Sequence, residues 1–183
     1  MWKYLLIALF LICQYNAHTQ TVTESTLVGN WLVVRWETAD RLLDFQDTLA
    51  SFRFMVDNFK YKNKVQGILR EDSIRMRQEL KKVLATASAI RFRLSLNKDK
   101  SFIWSGMTDN SAQFKGTYSL GAGNQTLVLT SFDSNTKAYR TMLLKVHTLL
   151  ADKMTIEIPS EEPGFKQSRF TLKKAEVATQ ASK

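Results

Sequence analysis

Ile90-Arg91-Phe92-Arg93-Leu94-Ser95-Leu96-Asn97 is the stretch that decides the fold. Apolar and polar residues alternate without a break. A strand therefore puts Ile90, Phe92, Leu94 and Leu96 on one face and Arg91, Arg93, Ser95 and Asn97 on the other. Asn97-Lys98-Asp99-Lys100 has the composition of a turn, and a short strand follows over 101–105. The pattern then repeats to the end of the chain. Turns at 108–111, 121–124, 133–135, 151–153 and 159–164 separate strands expected over 113–120, 126–132, 138–149, 154–158 and 165–173.

Upstream, 27–37 is apolar and rich in Val and Trp, as a buried first strand should be. The count becomes about eight, the number that closes a small antiparallel barrel. Between these regions the period is helical. Thr38 is placed to cap a helix, with Asp40 in its first turn. Leu42, Phe45, Leu49, Phe52, Val56 and Phe59 recur at steps of three and four, and Leu43 and Met55 widen the stripe. Lys60-Tyr61-Lys62-Asn63-Lys64 breaks it. A second helix is expected over 65–89, with Leu69, Met76, Leu80, Val83, Leu84 and Ala87 on one side. The sequence thus predicts a mainly β fold: an eight-stranded antiparallel up-and-down barrel with a two-helix insertion, 38–89, between its first two strands. Both apolar stripes must be buried against each other and the barrel.

The 183 residues suit one domain, placed at 27–174. Residues 1–19 read as a signal peptide. Lys3 precedes an apolar run from Tyr4 to Cys13 that is far short of the roughly 18–20 residues needed to span a bilayer. Cleavage fits after Ala17 or after Thr19, leaving a polar segment, 20–26, and a flexible tail, 175–183. Cys13 is the one cysteine, which excludes a disulfide framework and a cysteine-based metal site. A lipid-modified Cys13 is the alternative, although Ile12 stands where lipoprotein signals want a small residue. The expected location is periplasmic or secreted, or lipid-anchored through Cys13. The net charge is +9, and +8 without Lys3, since 1–19 holds no acid. It is spread along the chain, which speaks against nucleic acid and for attraction to an anionic membrane or envelope surface.

Gly29-Asn30-Trp31, at the start of the first strand, resembles the Gly-x-Trp of lipocalins. Two hairpins are similar to those of bacterial lipocalin-like domain proteins. One is Phe92-Arg93-Leu94-Ser95-Leu96 leading to Asp99-Lys100-Ser101-Phe102. The other is Gly116-Thr117-Tyr118-Ser119-Leu120 before Leu127-Val128-Leu129. The resemblance covers about 27–36 and 90–174 and omits the helical insertion. It implies that Gly29 and Trp31 are structural, with Trp31 plugging the closed end. Arg169 on the last strand would be the arginine that stacks on that tryptophan. It further implies that the first strand climbs to the open end near Trp36 and delivers the helical hairpin to the mouth as a lid.

The function expected on this footing is binding of a small hydrophobic or amphipathic molecule, such as a lipid, in the barrel. Candidate ligand contacts are Trp36, Phe92, Trp104, Phe114 and Tyr118 on strands and Phe52, Met55 and Phe59 on helices; core packing is the competing reading for each. Arg91, Arg93, Arg140 and Lys145 either meet an acidic head group or face solvent. His147 lacks a companion histidine or cysteine, and Glu161-Glu162 sits in a Pro/Gly loop. Hydrolase, metalloprotease and phosphate-loop motifs are missing, so the chain reads as a non-enzyme without cofactor or metal, and as a monomer. The alternative is a barrel filled by its own side chains, whose hairpin docks a protein or envelope component.

Overall fold

A computed structural model describes residues 22–90, 92–106, 114–134, 136–159 and 167–175. The expected leader with Cys13, Arg91, the 108–111 turn, Glu161-Glu162 and the tail beyond Ala175 lie outside the described residues. In chain order the elements are α1 (Glu24–Leu27), β1 (Gly29–Glu37), β2 (Leu42–Asp44), α2 (Thr48–Asn63), α3 (Arg70–Ile90), β3 (Arg93–Leu96), β4 (Ser101–Ser105), β5 (Phe114–Leu120), β6 (Thr126–Asp133), β7 (Ala138–Leu149), β8 (Lys153–Ile158) and β9 (Ser168–Lys174).

Each strand from β3 onward pairs antiparallel with the next, and β9 returns to β1, with Trp31 opposite Lys174 and Glu37 opposite Arg169. β1 and β3–β9 therefore form a closed eight-stranded barrel. The alternating pattern of the sequence is its inside and outside. Leu94, Leu96, Phe102, Trp104, Leu127, Leu129, Leu144, Met154, Ile156, Ile158 and Leu172 point inward and form one buried cluster. Hydrophobic burial at this scale is the dominant favourable term in folding.

β1 is longer than its neighbour. β3 covers only Gly29 to Leu32, and β2 takes the same edge from Arg35 to Glu37. This corrects the expected start of the first helix. The Thr38 hydroxyl donates to Asp40 at 2.9 Å and its N–H donates to the Arg41 carbonyl at 2.8 Å, closing a turn rather than capping a helix. The helix begins at Thr48. Asp47 caps it by accepting from the Ala50 N–H at 3.0 Å. Leu42 and Phe45 thus precede the helix, because the exposed edge of β1 demands a strand there. α3 starts at Arg70, later than 65, with Glu71 and Asp72 in its first turn to complement the dipole.

The closed end is stitched by α1. Gly29 leaves that helix with φ of 149°, a conformation that favours glycine. The indole N–H of the fully buried Trp31 donates to the Leu27 carbonyl at 2.8 Å. Lys174 lies with its Nζ 5.2 Å from the Trp31 ring centroid, in the place expected for Arg169. Arg169 is five residues away along β9, at the other end, where it pairs with Glu157 at 3.0 Å. Tyr118 also belongs to the closed end: its hydroxyl donates to the Asn97 carbonyl at 2.9 Å and Lys100 sits 5.7 Å from its ring centroid. Burial raises its pKa, with Lys100 pulling the other way.

A Cβ at Gly116 would run into the Thr130 carbonyl and come within 2.9 Å of the Ser131 Cα, where β5 and β6 cross closely and the Ser131 hydroxyl donates to the Lys115 carbonyl at 2.6 Å. Gly116→Ala should cost about 1–3 kcal/mol in urea unfolding. Gly67→Ala, in open space, should be neutral or slightly stabilising. On the outer face, desolvation works against ionising Glu157, but hydrogen bonds from Gln167, Arg169 and His147 prevail and hold its pKa at about 2, down from 4.5. Its contribution is complete above the ordinary carboxylate range and is lost as the pH falls through about 2. The stability gap between wild type and Glu157→Gln should be constant at neutral pH and close on acidification, as read by urea midpoints.

Candidate functional site

β1 climbs from the closed end to the mouth, and Trp36 arrives there opposite Leu43 of β2 on one side and Phe170 of β9 on the other. The Trp36 ring stacks on Phe170 with centroids 5.9 Å apart and meets Phe92 edge-on at 5.8 Å. Phe170 in turn meets Trp104 edge-on at 6.1 Å. Four aromatic rings thus form a floor across the open end. Each such pair adds about 0.5–1.5 kcal/mol beyond its buried area.

The roof is the helical hairpin. Leu43, Leu80 and Ala87 form a second buried cluster, surrounded by Trp36, Phe45, Phe52, Met55, Leu84 and Phe92. Trp36 belongs to both clusters, so the hairpin's apolar side is continuous with the barrel core. Two polar contacts fix α2 in place. The hydroxyl of the buried Ser51 accepts from the Asp44 N–H at 2.7 Å, and the Asn58 amide donates to the Asp40 carbonyl at 2.8 Å.

Between α2 and α3 the roof opens into a groove of about 420 Å³, lined by Thr48, Leu49, Phe52, Arg77, Leu80, Lys81 and Leu84. Its apolar residues Phe52, Leu80 and Leu84 belong to the same cluster as Trp36 and Phe92. Arg77 and Lys81, one helical turn apart, supply its charge. The Arg77 guanidinium carbon stands 4.5 Å from the Phe52 ring centroid. The groove is therefore an apolar slot with cations at its side.

The floor holds a polar oddity. The indole N–H groups of Trp36 and Trp104 are both buried and have no hydrogen-bond partner among the described residues. An unpaired buried donor costs about 1–3 kcal/mol, so native proteins seldom keep two together without a reason.

Of the expected ligand contacts, the structure gathers Trp36, Phe52, Met55 and Phe92 at the mouth, with Trp104 next to them through Phe170. Phe114 packs on Phe102 inside the barrel, ring centroids 5.2 Å apart. Phe59 lies further along α2 and is half-buried. Tyr118 is remote, at the closed end. Sequence reasoning passed over Phe170, Arg77 and Lys81. Arg77, Lys81, Leu80 and Leu84 do carry a signal, since two i, i+4 pairs set a charged edge beside an apolar one. Arg93, Arg140 and Lys145 are exposed, and His147 bonds Glu157 at 2.9 Å on the outer face. Among the described residues no group of His, Cys, Asp and Glu is placed to hold a metal ion, and no helix is long and apolar enough to cross a membrane. No protein-family model matches the chain, and neither does any curated protein or solved structure.

Leu43 is the hinge between hairpin and barrel. Leu43→Ala should cost about 2–5 kcal/mol at this contact. Amide hydrogen exchange should rise across α2 and α3 while the β6–β7 ladder keeps its protection.

Proposed function

We propose that the protein is an exported lipocalin-like binding protein that takes a small amphipathic molecule at the mouth of its barrel, with the helical hairpin as lid. The observation that carries the reading is the groove between α2 and α3, whose apolar residues run on to the aromatic floor with its two unpaired indole donors. An apolar chain would lie along Phe52, Leu80 and Leu84 toward Trp36. An acceptor atom on it would meet an indole N–H, and an anionic head group would meet Arg77 and Lys81. Affinity would come from apolar burial at about 25 cal/mol per Å², less the cost of ordering ligand and lid. Deeper in the barrel Trp31, Leu94, Leu127, Leu129, Leu144 and Trp104 are fully buried, which favours the mouth over the interior as the place of binding. No covalent step is needed.

The burial of those side chains also supports a second reading, in which the barrel is only a scaffold and the hairpin docks a protein or envelope component. A single titration separates the two. A long-chain fatty carboxylate should change the fluorescence of Trp36 and Trp104 with a Kd of micromolar order. The double variant Arg77→Ala/Lys81→Ala should weaken it by about tenfold or more, while the matching alcohol loses little. A carboxylate that leaves the fluorescence unchanged, with no mass adduct in native mass spectrometry, would put the docking reading ahead.

A further inference from the structure

β3 to β7 form an outer sheet face on which carboxylates are almost missing. The five strands contain one acid, Asp133, at the mouth end of β6, and it is already engaged. Their outward cations are Arg93, Lys115 and Lys145, all exposed, while Arg140 follows the inward phase of Met142 and Leu144 at the mouth end. The adjoining acid, Glu157 of β8, faces Lys145 across the ladder but is already covered by His147, Gln167 and Arg169.

The same face leaves large apolar side chains in water. Ile103 is 37% exposed, Leu143 45%, Phe132 54% and Tyr139 75%. They share the outward side because their register partners do: Ile103 opposes Lys115, Val128 opposes Leu143, and Phe132 opposes Tyr139. Phe132 and Tyr139 meet edge-on at 5.3 Å beside the β6–β7 turn, which carries Lys137 in a left-handed conformation. β6 runs upward from its closed-end turn, so this aromatic pair projects from the mouth end of the barrel. The remaining outward positions nearby are hydroxyls, with Thr117, Thr130 and Thr141 in one row across three strands.

We infer that this face docks the protein on an anionic phospholipid bilayer, with Phe132 and Tyr139 at the depth of the head groups and Lys115, Lys137 and Lys145 against the lipid charge. Aromatic side chains favour that interfacial zone, and each nearby cation adds to the attraction. Charge selects the occupant. A second copy of the chain would bring like cations together within a molecule of net charge +9, whereas an anionic surface is complementary to all of them. The inference stands apart from ligand binding at the groove, since it uses no residue of α2 or α3. If both hold, the mouth faces the phase in which amphipathic molecules dissolve.

The test is cosedimentation of the protein purified from its own host with phosphatidylcholine vesicles, with and without about 30% phosphatidylglycerol. The readout is the increment in partitioning due to the anionic lipid, so any lipid anchor on the chain cancels. Phe132→Ser/Tyr139→Ser and, separately, Lys115→Glu/Lys145→Glu should each reduce that increment by about tenfold or more. Lys153→Glu/Lys173→Glu, on the opposite wall, should change it by less than about threefold, and Tyr139→Trp should retain it. An increment absent from wild type would overturn the inference. So would an increment that survives Phe132→Ser/Tyr139→Ser, or one abolished equally by the two charge-reversal pairs, since either outcome means diffuse charge attraction without docking. Far-UV circular dichroism on every variant confirms the fold. Dextran sulfate that binds as strongly as the vesicles, and is insensitive to Phe132 and Tyr139, would assign the face to polyanions instead.

Discussion

The edge of β1 is the constraint on which the rest depends. A barrel strand must pair on both sides, because an unpaired backbone group removed from water costs as much as a lost hydrogen bond. β9 satisfies one edge of β1 from Trp31 to Glu37. On the other edge β3 runs out after Leu32, and the chain supplies β2 for the rest. The handover shows in two bonds: the Val33 N–H donates to the Phe92 carbonyl at 3.1 Å, and the Phe45 N–H donates to the Val34 carbonyl at 2.9 Å. By completing β1, β2 also places Leu43 beside Trp36. The hairpin is thus held at the mouth by main-chain hydrogen bonds, and its side chains need only fill the space beneath it.

That arrangement divides the molecule along the barrel axis. At the closed end the polar groups have partners: the Trp31 indole has the Leu27 carbonyl, Lys174 lies over the ring, and Lys100 pairs with Glu24. At the mouth the balance changes. Trp36 and Trp104 have the same indole donor and no acceptor among the described residues, and the covering helices leave Leu49, Ile74 and Val83 exposed. Energy that would have gone into satisfying the mouth is withheld there. Incomplete polar satisfaction and incomplete burial at one end of an otherwise closed fold fit an element that opens more easily than the barrel it covers.

The barrel was legible because a half-buried strand writes its two faces into alternate residues. Leu94 and Leu96 share one face in the sequence and point inward in the structure. The helical hairpin was legible for the same reason at another period. What escaped was set by neighbours rather than by pattern. Leu42-Leu43 fits a helical stripe as well as a strand, and only the unfilled edge of β1 decides for the strand. Thr38 has the side chain of a helix cap, but the nearby Arg41 carbonyl takes its N–H first. The cation over Trp31 is Lys174, not Arg169, because the register between β1 and β9 sets Lys174 opposite Trp31, and no residue type announces a register. Tyr118 alternates inward like Phe114, yet four residues along β5 carry it from one end of the barrel to the other.

The pairing of Arg77 with Phe52 bears on how a lid of this kind can be specific. A guanidinium over an aromatic face is held by the ring quadrupole and by its own apolar stem, and among the described residues no ion pair is seen at Arg77. Such a cation stays available to a second, anionic partner, and binding one need not break an existing ion pair. Lys81, a turn further on, adds charge without adding order, since an ammonium on a flexible stem imposes little geometry. On the proposed reading, the groove would then select for charge at one place and apolar length along the slot. The unpaired indoles beneath would reward an acceptor only in a molecule that reaches the floor. Selectivity would rest on length and polarity together, which the packed barrel interior alone could not provide.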